Sequence, residues 1–227
     1  MMSFREWASK LEQYLEHRVA FVGFADLESL LSERFAGLPR GISIAVRLSD
    51  PIVDELITGP TKLYAYHYHA MNRYLDHLAI EVMHLLRPSG YRFLPIPSSQ
   101  VIDRKRHAGH LSHKMLATRA GLGWIGKSAL LVTPEAGPRI RFVSILTDAP
   151  LPVGVPIEES QCEDCQACVE ACPVGAIKGV NWSIHVNRSM LLDANRCAAF
   201  TRKNNEKYGA HVCGVCVRAC PRGISKA

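Results

Sequence analysis

The sequence contains no uncharged run approaching the roughly 18–20 apolar residues that a membrane-spanning helix requires. Residues 1–13 carry charges of both signs and no apolar centre, so the start of the chain does not read as a secretory signal. Cysteine is absent from the first 161 residues. A disulfide-stapled secreted protein would spread its cysteines along the chain, so that class is excluded and a soluble, cytoplasmic protein is expected. With 48% hydrophobic and 21% charged residues, the chain is neither a disordered tail nor a coiled coil. Its 227 residues suffice for one large domain or two small ones with a genuine core.

All 8 cysteines crowd into the last third: Cys162, Cys165, Cys168, Cys172, Cys197, Cys213, Cys216 and Cys220. The run Cys162-x2-Cys165-x2-Cys168-x3-Cys172-Pro173 has the spacing that holds a cubane iron–sulfur cluster in bacterial ferredoxins. Short spacing lets three soft thiolates converge from one loop, while the fourth cysteine redirects the chain and serves the other cluster. Cys213-x2-Cys216-x3-Cys220-Pro221 is the second half of the pair, its first ligand, Cys197, displaced upstream by an insertion. By this logic Cys162, Cys165, Cys168 and Cys220 hold one [4Fe–4S] cluster. Cys172, Cys197, Cys213 and Cys216 hold the other, and no cysteine is left over. Zinc is the competing reading, but zinc favours two paired knuckles around one tetrahedral ion.

The formal charge of +6 counts cysteines as neutral. An oxidised cubane with its four thiolates carries about −2, so two of them bring the loaded protein to roughly +2. The basic balance is therefore a weak argument for nucleic acid. Arg188, Arg196, Arg202, Lys203, Lys207, Arg218 and Arg222 read as offsetting cluster charge or as a docking face for a partner.

Before the cysteines, helix and strand alternate. Ser3 and Glu6 read as a capping box opening a helix with Phe4, Trp7, Ala8, Leu11, Tyr14 and Leu15 at helical spacing. Strands are expected over 19–24, 41–46, 91–96, 129–133 and 140–147, and a helix over 111–119. A long helix opens at Thr61, with an apolar stripe from Leu63 through His67, Met71, Leu75, Leu78 and Val82 to Leu86, and stops at Pro88-Ser89-Gly90. The fold class expected is α+β: a mixed α/β N-terminal domain over 1–148, a Pro-rich linker over 149–160 and a two-cluster ferredoxin-like module over 161–227.

Two motifs invite over-reading. Gly121-Leu122-Gly123-Trp124-Ile125-Gly126-Lys127-Ser128 matches both the dinucleotide fingerprint and the Walker A pattern. Both need a strand before and a helix after, so that a helix N-terminus meets the phosphate. Here a helix precedes and a strand follows. The glycines instead let backbone approach something large and flat, or cap the helix, and Lys127 would meet an anionic group. His107, His110 and His113 would form a drifting stripe on a helix, suited to a metal or to acid–base chemistry.

The combination of Ala120 to Lys127, a strand hairpin ending at Thr147-Asp148-Ala149-Pro150 and a double-cluster module resembles the epoxyqueuosine reductase family. Tyr68-His69 on the long helix fits the same pattern. The resemblance implies a cobalamin held against the α/β domain, with Gly121, Gly123, Gly126, Lys127, Tyr68 and His69 as cofactor-binding residues. It implies an iron–sulfur and cobalamin-dependent reductase fed by a low-potential donor such as ferredoxin or flavodoxin, and acting on a corrinoid, a small molecule or tRNA. The family's catalytic aspartate falls here at His107, with Asp103 the nearest acid. The helical repeats that grip tRNA in the family are not expected after Cys220, which points away from tRNA. A carrier of electrons without a substrate site of its own is the alternative. Calorimetry with ATP or GTP is expected to show no binding to the purified chain, because the glycine-rich run lacks the strand–helix setting of a phosphate loop.

Overall fold

The computed structural model describes residues 4–224. Ser3, the expected first member of the capping box, lies outside the described residues. The strands are β1 (Phe21–Asp26), β2 (Arg40–Arg47), β3 (Phe93–Ile96), β4 (Trp124–Ile125), β5 (Leu131–Val132) and β6 (Ile140–Thr147). The helices are α1 (Phe4–Leu15), α2 (Asp50–Asp54), α3 (Lys62–Leu86), α4 (His113–Arg119), α5 (Ala167–Glu170), α6 (Arg188–Leu191), α7 (Ala194–Tyr208) and α8 (Val215–Ala219). Helices and antiparallel pairing together make the fold α+β, as expected.

The chain forms two compact units, each assembled from separate segments. One comprises Met1–Arg47, Asn72–Leu122 and Arg141–Ile157; the other comprises Leu48–Met71, Gly123–Ile140 and Glu158–Ala227. A division at 148 and 160 separates chain with and without cysteine, whereas the compact units follow tertiary packing.

The first unit is organised on a sheet of order β1-β2-β6-β3. β1 and β2 are antiparallel, with Gly23 opposite Ser43 and Ala25 opposite Gly41. Because side chains alternate, Gly23, Ala25, Gly41, Ser43 and Ala45 share one face. That face of small residues admits α4: a Cβ on Gly41 would stand 2.5 Å from Leu116 Cδ1, and one on Gly23 2.9 Å from Leu122 Cδ2. Leu116 joins Ala25, Leu27, Phe35, Ile96, Ala120 and Leu146 in the core beneath. Ser112 caps α4, its hydroxyl accepting the Met115 N–H. In α1, Ala8, Leu11 and Leu15 are buried at the spacing of one helix face.

The segment after β6 runs extended and is hydrogen-bonded into this unit. Gly154 N–H donates to the Phe24 carbonyl and Ile157 N–H to the Thr118 carbonyl. Helix α3 starts one residue after Thr61, whose hydroxyl accepts the Tyr64 N–H, and a left-handed Gly90 ends the turn that follows it. The expected stripe holds from Leu75 to Leu86, which are buried at Leu75, Leu78, Ala79, Val82 and Leu86. It fails at Leu63, which is 51% exposed, because Tyr64 and Ala65 take the inward positions.

In the second unit, Leu48, Val53, Leu56, Tyr64, Ala65, Ala210, Val212 and Val217 form the core. Arg139 is buried beside it and donates to Asp50 at 3.0 Å and to Asp54 at 2.7 Å. Gly41→Val should overpack the α4 contact in the first unit, at a cost of about 1–3 kcal/mol. A thermal melt of the variant is expected to show the corresponding fall in midpoint.

Candidate iron–sulfur site

Loops carry five of the eight thiols in the second unit, and three helices hold the rest, with Cys197 in α7. Cys168 lies in α5 and Cys216 in α8, and these two helices pack together. Each is followed by a cysteine–proline step, at Cys172 and Cys220. Burial, and then the neighbouring Cys162, Cys220 and Cys165, push the Cys168 thiol up to about 11. Burial also raises Cys220, with Cys162 and Cys165 adding to it and the Arg222 N–H and charge opposing. Cys197 is raised by burial and then by Cys172, while Arg188 opposes. Cys213 is raised by burial, with Cys197 and Cys172 adding. Cys216 is raised most, by burial and then by Cys213, Cys197, Cys168 and Cys172. Cys162, Cys165, Cys168 and Cys220 thus act on one another, as do Cys172, Cys197, Cys213 and Cys216, and Cys168 links the two sets through Cys216. Main-chain donors approach them as well: Ala176 N–H lies 3.3 Å from Cys172 Sγ.

Cys165 is exposed, whereas the other seven thiols are only partly exposed. It lines a cleft of about 310 Å³ together with Trp124, Cys162, Cys220 and Arg222. The Arg222 guanidinium stands 5.8 Å from the Trp124 ring centroid. Trp124 was not singled out from the sequence, although its place inside the glycine run, next to an element that meets the cysteines, was an available signal. Asn181, which donates to the Glu163 carbonyl at 3.2 Å, had none.

The glycine run separates into pieces with different neighbours. Gly121 has φ +75°, and a Cβ there would stand 2.6 Å from the Val155 carbonyl oxygen. At Gly123 a Cβ would collide with the Val132 carbonyl oxygen, and at Gly126 it would lie 3.3 Å from Cys162 Sγ. Backbone of the chain itself therefore fills the space that Gly121 and Gly123 leave. The Lys127 ammonium donates to the Glu163 carbonyl at 2.7 Å and the Cys165 carbonyl at 3.1 Å. The element order is helix, then the β4–β5 hairpin, and no helix N-terminus follows the run before Ala167 among the described residues.

The histidines do not share a helix. Residues 103–108 close a turn, with main-chain hydrogen bonds between Asp103 and Ala108 in both directions. The Asp103 carboxylate accepts the N–H groups of Lys105 and Arg106, both at 2.9 Å, which stabilises the turn in place of a helix. His107 sits in that turn with φ +49°. His110 meets Arg34 and the edge of Phe35. His113 begins α4; its Nε2 donates to the Pro97 carbonyl at 2.9 Å, so its Nδ1 accepts the Ser144 hydroxyl at 2.7 Å. In the second unit, Tyr68 packs against the core and the exposed His69 places Nε2 3.4 Å from the Gly209 carbonyl.

Comparison with known proteins bears on these features. A family model for a 4Fe–4S double cluster binding domain matches residues 161–223. Epoxyqueuosine reductase of Aliivibrio fischeri is 29% identical over 176 residues, covering 78% of this chain and 41% of that protein. A crystal structure of selenomethionine-labelled epoxyqueuosine reductase superposes with a TM-score of 0.63 at 21% identity, over 99% of this chain and 67% of that one. By these matches the chain is similar to an epoxyqueuosine reductase-like family. Residues 161–223 carry a 4Fe–4S double cluster binding domain. A reductive dehalogenase, from a structure described as suggesting a mechanism for B12-dependent dehalogenation, shares the fold with a TM-score of 0.70 at 18% identity, over 95% of this chain and 31% of that one. The chain spans less than half the length of the curated epoxyqueuosine reductases it matches. Among the described residues, no helix is long and apolar enough to cross a membrane.

The histidine geometry has a pH consequence. Burial, aided by the Arg141 charge and opposed by the Pro97 carbonyl and Asp76, holds His113 below the ordinary imidazole value of 6.5. The unfolded chain therefore takes up this proton first as pH falls. The stability that neutral His113 contributes is complete above about pH 6.5 and is lost progressively below it, towards the lower folded value. The thermal midpoint should drop between about pH 7.5 and 5.5, and His113→Gln should flatten that drop while lowering the midpoint at the higher pH.

Proposed function

We propose that the chain is an iron–sulfur oxidoreductase that passes low-potential electrons through two [4Fe–4S] clusters for reduction of a substrate, with a corrinoid as the acceptor that kinship implies. The observation that carries the reading is the gathering of eight thiols into two neighbourhoods. Cys162, Cys165, Cys168 and Cys220 would hold one cluster, and Cys172, Cys197, Cys213 and Cys216 the other. The donor set fits: buried thiols that raise one another's pKa values resist ionising together, and a cationic iron–sulfide core supplies the compensating charge. The clusters supply one-electron chemistry at low potential, and the N–H groups near Cys172, Cys213 and Cys220 would tune it. The exposed Cys165 and its cleft support electron entry at the first quartet, from a donor such as ferredoxin or flavodoxin.

The corrinoid rests on kinship alone. Gly121 and Gly123 face the chain's own carbonyls and Lys127 is engaged with the cysteine loop, so these residues form no cradle for a ring, and no step is assigned to it. His107, or Asp103 in its place, is the proposed proton donor at a substrate. The occupied glycine run favours the second reading, an electron-transfer protein with no substrate site of its own. Action on tRNA is the third reading, supported by a relative solved with an epoxyqueuosine-modified tRNA stem loop.

Anaerobic purification discriminates among them. Roughly eight iron and eight sulfide per chain are expected for two cubanes. Copurifying cobalt, or a spectral change on adding cobalamin, supports the corrinoid reading; full clusters with neither support the carrier. A colourless protein containing zinc would overturn all three.

A further inference from the structure

Two cations are almost fully buried among the described residues, Lys127 at 3% and Arg139 at 2% exposure. They are compensated differently. Arg139 is met by two carboxylates, Asp50 and Asp54. The hydrogen bonds of Lys127 go to the carbonyls of Glu163 and Cys165. Carbonyl dipoles solvate an ammonium without cancelling its charge, and a buried unbalanced charge is costly. Glu163 and Asp164, the acids of that loop, are exposed, and water screens their charge. The adjacent Gly126 runs against Cys162, since a Cβ there would lie 3.3 Å from its Sγ. Gly126 and the Lys127 ammonium therefore meet two of the four cysteines of the first quartet, Cys162 at its sulfur and Cys165 at its carbonyl.

We propose that Lys127 is a positioning residue for the first cluster, whose buried ammonium clamps the Cys162–Cys165 loop and makes that cluster the easier of the two to reduce. The proposal rests on the reading that Cys162, Cys165, Cys168 and Cys220 hold a [4Fe–4S] cluster. A cubane with four thiolates carries about −2 when oxidised and gains one further negative charge on reduction. A nearby buried cation balances the first charge and favours the second, and low local dielectric makes it count for more than an exposed cation such as Arg188 beside the second quartet. The Gly-Lys-Ser sequence thus serves a cysteine loop where a phosphate loop would serve a nucleotide.

The test is an anaerobic redox titration of the reconstituted full chain, followed by electron paramagnetic resonance, for wild type, Lys127→Gln, Lys127→Met and Lys127→Arg. Glutamine keeps a hydrogen-bond donor and loses the charge; arginine keeps both. The neutral variants should shift the reduction equilibrium of one cluster at least about tenfold towards the oxidised form, about 59 mV for one electron. The other cluster should be unmoved, and Lys127→Arg should keep the wild-type equilibrium. Loss of one cluster's iron in the neutral variants, with full loading of Lys127→Arg, would support the same charge requirement. Unchanged potentials, equal shifts in both clusters, or failure of Lys127→Arg to load along with the neutral variants would overturn the proposal. A wild-type chain that takes up no cluster would instead overturn the function on which it rests.

Discussion

Eight thiols gathered in one compact unit cannot ionise together unless positive charge comes among them. Burial and mutual repulsion raise Cys168, Cys197, Cys213, Cys216 and Cys220 above the ordinary thiol value, so the protein alone favours the protonated form of these five. An iron–sulfide core reverses that balance, because binding releases the protons and supplies the missing cation. Much of the second unit is arranged around this constraint. Helices α5 and α8 are short because each has to deliver one cysteine and then turn at a cysteine–proline step. The core of Leu48, Val53, Leu56, Tyr64, Val212 and Val217 reaches into the cysteine segment itself, since Val212 precedes Cys213 and Val217 follows Cys216.

The same constraint explains a residue that a motif would misassign. Lysine after a glycine-rich run suggests a phosphate, but a phosphate loop needs a helix N-terminus and a free ammonium. Here a two-stranded hairpin follows and carbonyl oxygens hold the ammonium. The glycines are likewise accounted for one at a time: Gly121 by the Val155 carbonyl, Gly123 by the Val132 carbonyl, Gly126 by the Val132 side chain and then Cys162. A run of glycine is a statement about close approach, and the approaching group must be identified at each position separately.

In the first unit, chemistry expected of neighbouring histidines is dispersed by local backbone preference. Asp103 turns its carboxylate onto the N–H groups of Lys105 and Arg106, and the chain closes into a turn before a helix can start. His107, His110 and His113 then fall on three different structures. His113 becomes a neutral hydrogen-bonded strut between Ser144 and Pro97, a role set by partners well separated from it in the chain.

How much was legible follows from the range of each interaction. Ligand chemistry and spacing are local, so the cysteine run, the α+β class, the strands other than β4 and the helices α1, α3 and α4 were readable from residue order alone, whereas α2 and α5–α8 were not singled out. The long helix was readable in its apolar stripe, apart from Leu63, where a choice between adjacent faces depends on what packs there. The sequence by itself determined which thiols are available and how far apart they sit along the chain. Tertiary structure alone decided which carbonyls Lys127 meets, what occupies the space beside each glycine, and how separate segments assemble into two units. Those outcomes depend on atoms brought together from distant positions, and no local pattern encodes such partners.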